Sequence, residues 1–116
     1  LALSYPERLI SDTKPLDFSL LSLDFSSPDF DRYPCLKLAL EVAKQGKNLP
    51  CALSGANEEA VNLFLNEKIK FTQIAKYIEY ALSASEICEP TYENLVKTDR
   101  AARNAVLRAY KENKID

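Results

Sequence analysis

The sequence predicts a mostly α-helical fold: a C-terminal bundle of about four helices over residues 35–116, preceded by an extended linker at 1–34 with one strand near 20–26. Three observations predict it. Apolar residues recur at helical spacing through most of the second part. Four of the six prolines, Pro6, Pro15, Pro28 and Pro34, fall in the first 34 residues. Leu21-Ser22-Leu23-Asp24-Phe25-Ser26 alternates apolar and polar, as a half-buried strand does.

Charge divides the chain at the same place. Residues 1–34 hold six acidic and three basic side chains, whereas 35–116 hold 11 and 12. A lone strand cannot satisfy its own backbone ladder, so residues 21–26 should belong to a sheet made by something else. Leu16, Phe18 and Phe30 also need cover.

The first helix is expected from about Pro34 to Gln45. Proline suits the first turn because its missing N–H would be unpaired there in any case. Leu36, Ala39, Leu40 and Ala43 form the stripe expected to face inward, and Gly46 stands where a left-handed stop is wanted. The second helix is expected over roughly 52–66, with Ala56, Ala60, Val61, Phe64 and Leu65 inward. The third begins near Thr72 as N-cap, with Phe71, Ile74, Ala75, Ile78 and Leu82 as its apolar stripe. Pro90 ends that pattern, and Thr91 or Thr98 caps the last helix. Between 98 and 113, Ala102, Ala105, Val106, Ala109 and Tyr110 line one side. Short connections favour antiparallel neighbours packed as a bundle.

Composition narrows the function. A net charge of −2 gives no general attraction to nucleic acid or an anionic membrane. No apolar run approaches the roughly 20 residues that span a bilayer. With no histidine, a histidine-based triad or imidazole metal site cannot form within this chain. Two glycines in 116 residues is far below the usual rate of about 7%, and neither G-x-G nor a P-loop is present. The chain starts at Leu1 and lacks methionine, so it is expected to be processed or a piece of something longer. Cys35, Cys51 and Cys88 show no C-x-x-C spacing and read as reduced, small apolar residues of a cytoplasmic protein.

Three clusters are candidate sites. Ser54-Gly55-Ala56-Asn57 offers a small anion cradle at a helix start. Glu58 and Glu59 would then complement the dipole in the first turn and repel phosphate, which favours a structural helix start. Lys97, Arg100, Arg103, Arg108, Lys111 and Lys114 fall within an arc of roughly 140° opposite the apolar stripe. That face suits either phosphate contacts or solvent, and no aromatic residue interleaves to stack on bases. Asp24, Asp29 and Asp31 suggest a hard-metal site, weighed against turn hydrogen bonds beside Pro28.

Three stretches carry a resemblance: Ala2–Arg8 (ALSYPER), Leu23–Glu41 (LDFSSPDFDRYPCLKLALE) and Ala52–Ile74 (ALSGANEEAVNLFLNEKIKFTQI). Together they resemble the C-terminal part of the 1-deoxy-D-xylulose 5-phosphate reductoisomerase family. The resemblance implies a parent with an NADPH-binding domain, a catalytic domain holding a divalent cation (Mg or Mn) and a C-terminal helical bundle. It implies conversion of 1-deoxy-D-xylulose 5-phosphate to 2-C-methyl-D-erythritol 4-phosphate in non-mevalonate isoprenoid synthesis. The family's catalytic, cofactor-binding and metal residues all lie upstream of the equivalent of Leu1, so none is assigned here. Asp29, Arg32 and Glu58 fall in family motifs that look architectural. Where the family commonly has A-A-N-E, this chain has Gly55-Ala56-Asn57-Glu58, and the glycine is expected to weaken helix initiation by up to about 1 kcal/mol.

Residues 1–34 would then be the end of the catalytic domain and its linker, and 35–116 the bundle. The expected partner is the rest of a homodimeric parent enzyme, with no nucleic acid and no membrane. The piece alone is expected to be inactive and to order its linker by pairing with, or swapping into, a second copy. The alternative function is a free-standing helical module that binds nucleic acid or protein through the basic last helix.

Overall fold

A computed structural model describes residues 3–10 and 12–115. Four α-helices follow one another: α1 (Pro34–Gln45), α2 (Leu49–Leu65), α3 (Ile74–Ser83) and α4 (Tyr92–Lys111), with a 3-10 turn at Phe71–Gln73 leading into α3. α2 is the central element and packs on α4, α3 and α1. The core is built from Ala52, Ala56, Ala60 and Leu63 of α2, Tyr77, Ile78 and Ala81 of α3, and Ala102, Val106 and Ala109 of α4. Alanines dominate where helices meet. Small side chains let the helix axes approach closely, as close-packed interiors require.

α1 takes the expected bounds, with Pro34 in its first turn and Gly46 at φ 68° closing it. The backbone N–H of Gly46 donates to the Val42 carbonyl. Its inward face is not the expected one. Val42 is buried and Leu38 half-buried, whereas Leu36, Leu40 and Ala43 are exposed. The chosen stripe is periodic, but helical period alone does not say which of two apolar faces the bundle covers.

α2 begins at Leu49, ahead of the expected residue 52, because Pro50 is compatible with a first turn and starts it there. Ser54-Gly55-Ala56-Asn57 therefore lies inside the helix and starts nothing. Leu65 is exposed, and Leu63, Ala52 and Gly55 take inward places instead. Thr72 does not cap α3. Lys70 donates its backbone N–H to Gln73 Oε1 at 2.7 Å, and the 3-10 turn makes the entry. Phe71 is largely exposed and meets Phe64 edge-on, with ring centroids 5.7 Å apart. Thr91 caps α4, its hydroxyl accepting from the Asn94 N–H at 3.3 Å. The helix thus starts at Tyr92, and Thr98 lies buried within it.

The expected strand near 20–26 does not form, and no strand occurs among the described residues. Among the described residues, backbone–backbone bonds before α1 form the turns Glu7 to Ser4, Leu20 to Asp17 and Tyr33 to Asp29. Alternation gives a strand only where a neighbouring strand satisfies its backbone, and the described residues supply none. Leu21, Leu23 and Phe25 are exposed, as are Leu9, Ile10, Leu16, Phe18 and Leu20. The radius of gyration is 19.4 Å, against the roughly 13 Å of a compact chain of this length. Residues 3–33 account for the excess by lying outside the bundle.

Candidate functional site

Polar chemistry in the bundle concentrates where α2 meets α4. Gly55 is buried on the α2 face that meets Asp99. A Cβ at Gly55 would lie 2.7 Å from Asp99 Oδ1 and 3.1 Å from the Asp99 carbonyl oxygen, so the missing side chain is what permits the approach. Asp99 is held one turn from Arg103, whose Nε donates to Oδ2 at 2.9 Å and Oδ1 at 3.1 Å. The other end of the guanidinium reaches across to Glu58 Oε2 at 2.6 Å. The hydrogen bonds it donates to Asp99 and then Glu58 push the Arg103 pKa further above its already high value, so it stays charged. Cys51 lies next to this cluster and donates its thiol to the Leu95 carbonyl at 3.3 Å. Desolvation, followed by the Asp99 charge, pushes its pKa up and away from a reactive thiolate.

The first candidate site is thus resolved differently from either sequence reading. Gly55 is neither an anion cradle nor a helix start, but a contact point between two helices. Glu58 and Glu59 lie well beyond the first turn, and Glu58 neutralises a cation of α4. No sequence signal links Gly55 with Asp99, since the pair is 44 positions apart and only packing joins them.

The basic face is partly spent inside the molecule. Arg103 is committed to Asp99 and Glu58. Lys114 lies beyond the end of α4, pairs with Glu112 at 2.7 Å and donates to the Tyr80 hydroxyl at 3.3 Å. Lys97 and Arg100 make no ion pair among the described residues, and Lys97 lines a cleft of about 460 Å³ with Cys88, Asn94 and Thr98. Ala81, Ala84, Ala101 and Ala105 also line it, and of these Ala81 and Ala105 are buried.

The acidic triplet does not converge. Asp29 Oδ1 accepts the backbone N–H groups of Asp31 at 3.1 Å and Arg32 at 3.0 Å, which makes a turn into α1. Among the described residues no three Cys, Asp or Glu side chains gather where a metal ion would sit. Arg32 stacks 5.6 Å from the Tyr33 ring beside the same turn. All three cysteines are free thiols, and Cys35 is exposed. No helix among the described residues is long and apolar enough to cross a membrane.

Asn48 is the polar residue that sequence reasoning missed. It is almost fully buried in the turn between α1 and α2. Its Nδ2 donates to the Glu86 carbonyl and to Thr98 Oγ1, and its Oδ1 accepts the Cys88 N–H, each at 2.9 Å. One side chain thereby joins the α1–α2 turn, the α3–α4 connection and α4.

Comparison with known proteins gives a single answer. The family described as "DXP reductoisomerase C-terminal domain" matches residues 1–105. A reductoisomerase of Rippkaea orientalis is 42% identical over 115 residues, covering 96% of this chain and 29% of its own length. One from Geobacillus sp. is 46% identical over 108 residues, covering 90% and 28%. The Zymomonas mobilis reductoisomerase in complex with NADPH superposes with a TM-score of 0.76 at 36% identity, covering 93% of this chain and 29% of that one. A further reductoisomerase structure, in complex with NADPH, fosmidomycin and magnesium, gives 0.77 at 36% identity, covering 97% and 30%. The chain spans less than a third of the length of each of these relatives.

Proposed function

The chain belongs to the DXP reductoisomerase family through that family's C-terminal domain, and from this membership we propose that it is the helical end module of an NADPH-dependent reductoisomerase. The whole enzyme converts 1-deoxy-D-xylulose 5-phosphate to 2-C-methyl-D-erythritol 4-phosphate with a divalent cation, Mg or Mn, in cytoplasmic isoprenoid synthesis by the non-mevalonate route. Its chemistry lies in the portion that this chain does not contain, and the module serves as structure. Residues 1–34 are the end of the catalytic domain and its linker, and 35–116 the bundle.

The observation that carries this reading is full-length similarity to the family combined with coverage of less than a third of its members. The exposed Leu and Phe side chains of residues 3–30 support it, because they are the surface that a missing body of protein would cover. The parent acts as a homodimer. Separated from the parent, the chain pairs with a second copy through Leu21, Leu23 and Phe25.

The test is NADPH oxidation with 1-deoxy-D-xylulose 5-phosphate, magnesium and purified chain. No turnover is expected from the chain alone, and turnover on adding the separately expressed upstream portion. Turnover by the pure chain, or none from the mixture, overturns the reading.

A further inference from the structure

α1 is apolar around most of its circumference. At about 100° per residue, Lys37, Glu41, Lys44 and Gln45 share an arc of about 100°, and apolar side chains fill the next 200° or so. A helix in solvent contact along one side needs only one apolar stripe, and a helix apolar over more than half its surface is one that is covered on two sides.

The bundle covers one of them. Leu38 and Val42 turn toward α2 and α3, with Ala39 half-buried beside them. Leu36, Leu40 and Ala43 lie about 150° round the helix from Leu38 and Val42. Leu36 is 41% exposed and Leu40 43%. In the turn that enters α1, Tyr33 is exposed, whereas Phe30 lines a groove with Leu38, Thr72 and Ala75 on the inward side of the helix. This apolar face is continuous in the chain with the exposed residues of 3–30, which enter the bundle at Pro34. Whatever covers those residues is therefore delivered to the α1 end. The outer face of α4 differs, since it is basic and partly neutralised within the bundle.

Building on the reading of the chain as an end module, we propose that the outward face of α1, made by Leu36, Leu40 and Ala43, is the seat on which the upstream body of the same enzyme packs. The occupant is apolar and covalently continuous with residues 1–33. Attachment through the chain raises its local concentration, so a modest apolar patch suffices to hold it.

Thiol labelling tests this. Leu40→Cys, Leu23→Cys and Arg100→Cys are each made in a background with Cys35, Cys51 and Cys88 replaced by alanine. Labelling is followed site by site in residues 1–116 and in the full-length enzyme, with helicity checked by circular dichroism. Expected is labelling of Leu40→Cys about tenfold or more slower in the full-length enzyme than in the dilute isolated chain, and equal labelling of Arg100→Cys in both. Equal labelling of Leu40→Cys alongside protection of Leu23→Cys overturns this inference and leaves the end-module reading standing. Absence of protection at both positions overturns that reading as well. Protection of Leu40→Cys in the isolated chain that grows with concentration makes a second copy the occupant and also overturns the inference.

Discussion

The side-chain amide of Asn48 donates to Thr98 Oγ1 at 2.9 Å, and through that bond the turn before α2 is fastened to the middle of α4. The same side chain also serves Glu86 and Cys88, so three groups depend on it. Asn48→Ala removes the partner of a buried hydroxyl, Thr98 Oγ1, and of two part-buried backbone groups, the Glu86 carbonyl and the Cys88 N–H. The expected loss is about 2–3 kcal/mol, read as a shift of the urea midpoint at constant slope. A loss below about 0.5 kcal/mol would mean that water replaces the amide without penalty.

Gly55 and Asp99 should be energetically coupled. Alanine at Gly55 gains up to about 1 kcal/mol of helix propensity, but its Cβ meets the Asp99 carboxylate and carbonyl. Gly55→Ala is therefore expected to be neutral to destabilising in the native background. With Asp99→Ala the carboxylate obstacle is gone, and the same change should be more favourable by at least about 0.5 kcal/mol. A double-mutant cycle with no coupling refutes the close-approach explanation.

Glu112 provides a pH test. Its hydrogen bond from Lys114 holds its pKa below the ordinary 4.5. A lowered carboxylate pKa stabilises above the unfolded value and is lost as pH falls through the folded one. The Lys114 contact at the end of α4 should thus persist at neutral pH and release in acid. An NMR titration of the Glu112 carboxyl reads this, and Lys114→Ala should return it toward the ordinary value. An unchanged titration in that variant contradicts the pairing.

Nucleic-acid binding through α4 is expected to be absent. Arg103 is held by two carboxylates and Lys114 by another, which breaks up the basic face. Titration of a labelled oligonucleotide at near-physiological salt should show no saturable binding. Salt-dependent binding abolished by Arg100→Glu and Lys111→Glu would instead favour a free-standing module.

Limited proteolysis should divide the isolated chain near Pro34. Before it, the described residues hold isolated turn hydrogen bonds and no helix, whereas the helices beyond are laddered and packed. A stable product beginning near residues 31–36 is expected, with its helicity intact. Cutting at equal rates on both sides of Pro34 would contradict this division.

Much was legible in the sequence. Pro34 and Gly46 mark the two ends of α1 because proline fixes its own φ and glycine alone takes a positive φ without strain, and Thr91 caps α4 through an atom three residues away. The buried face of α4 is also local, since Ala102, Ala105, Val106 and Ala109 repeat at helical period and only one side of that helix is apolar. Family membership came from the same local motifs. Where the signal had two solutions, reading it along the chain failed. α1 has two apolar faces, and residues 21–26 alternate as a strand yet meet no partner strand.

Period, propensity and capping act within a few residues, so the sequence by itself determined which segments are helical and to which family they belong. The tertiary structure decided which faces are spent within the bundle. It sets Gly55 against Asp99, ties Asn48 to Thr98 and leaves Leu36 and Leu40 bare. Each of these depends on groups far apart in the chain, and only the packing of α2 against α4 and α3 brings them together.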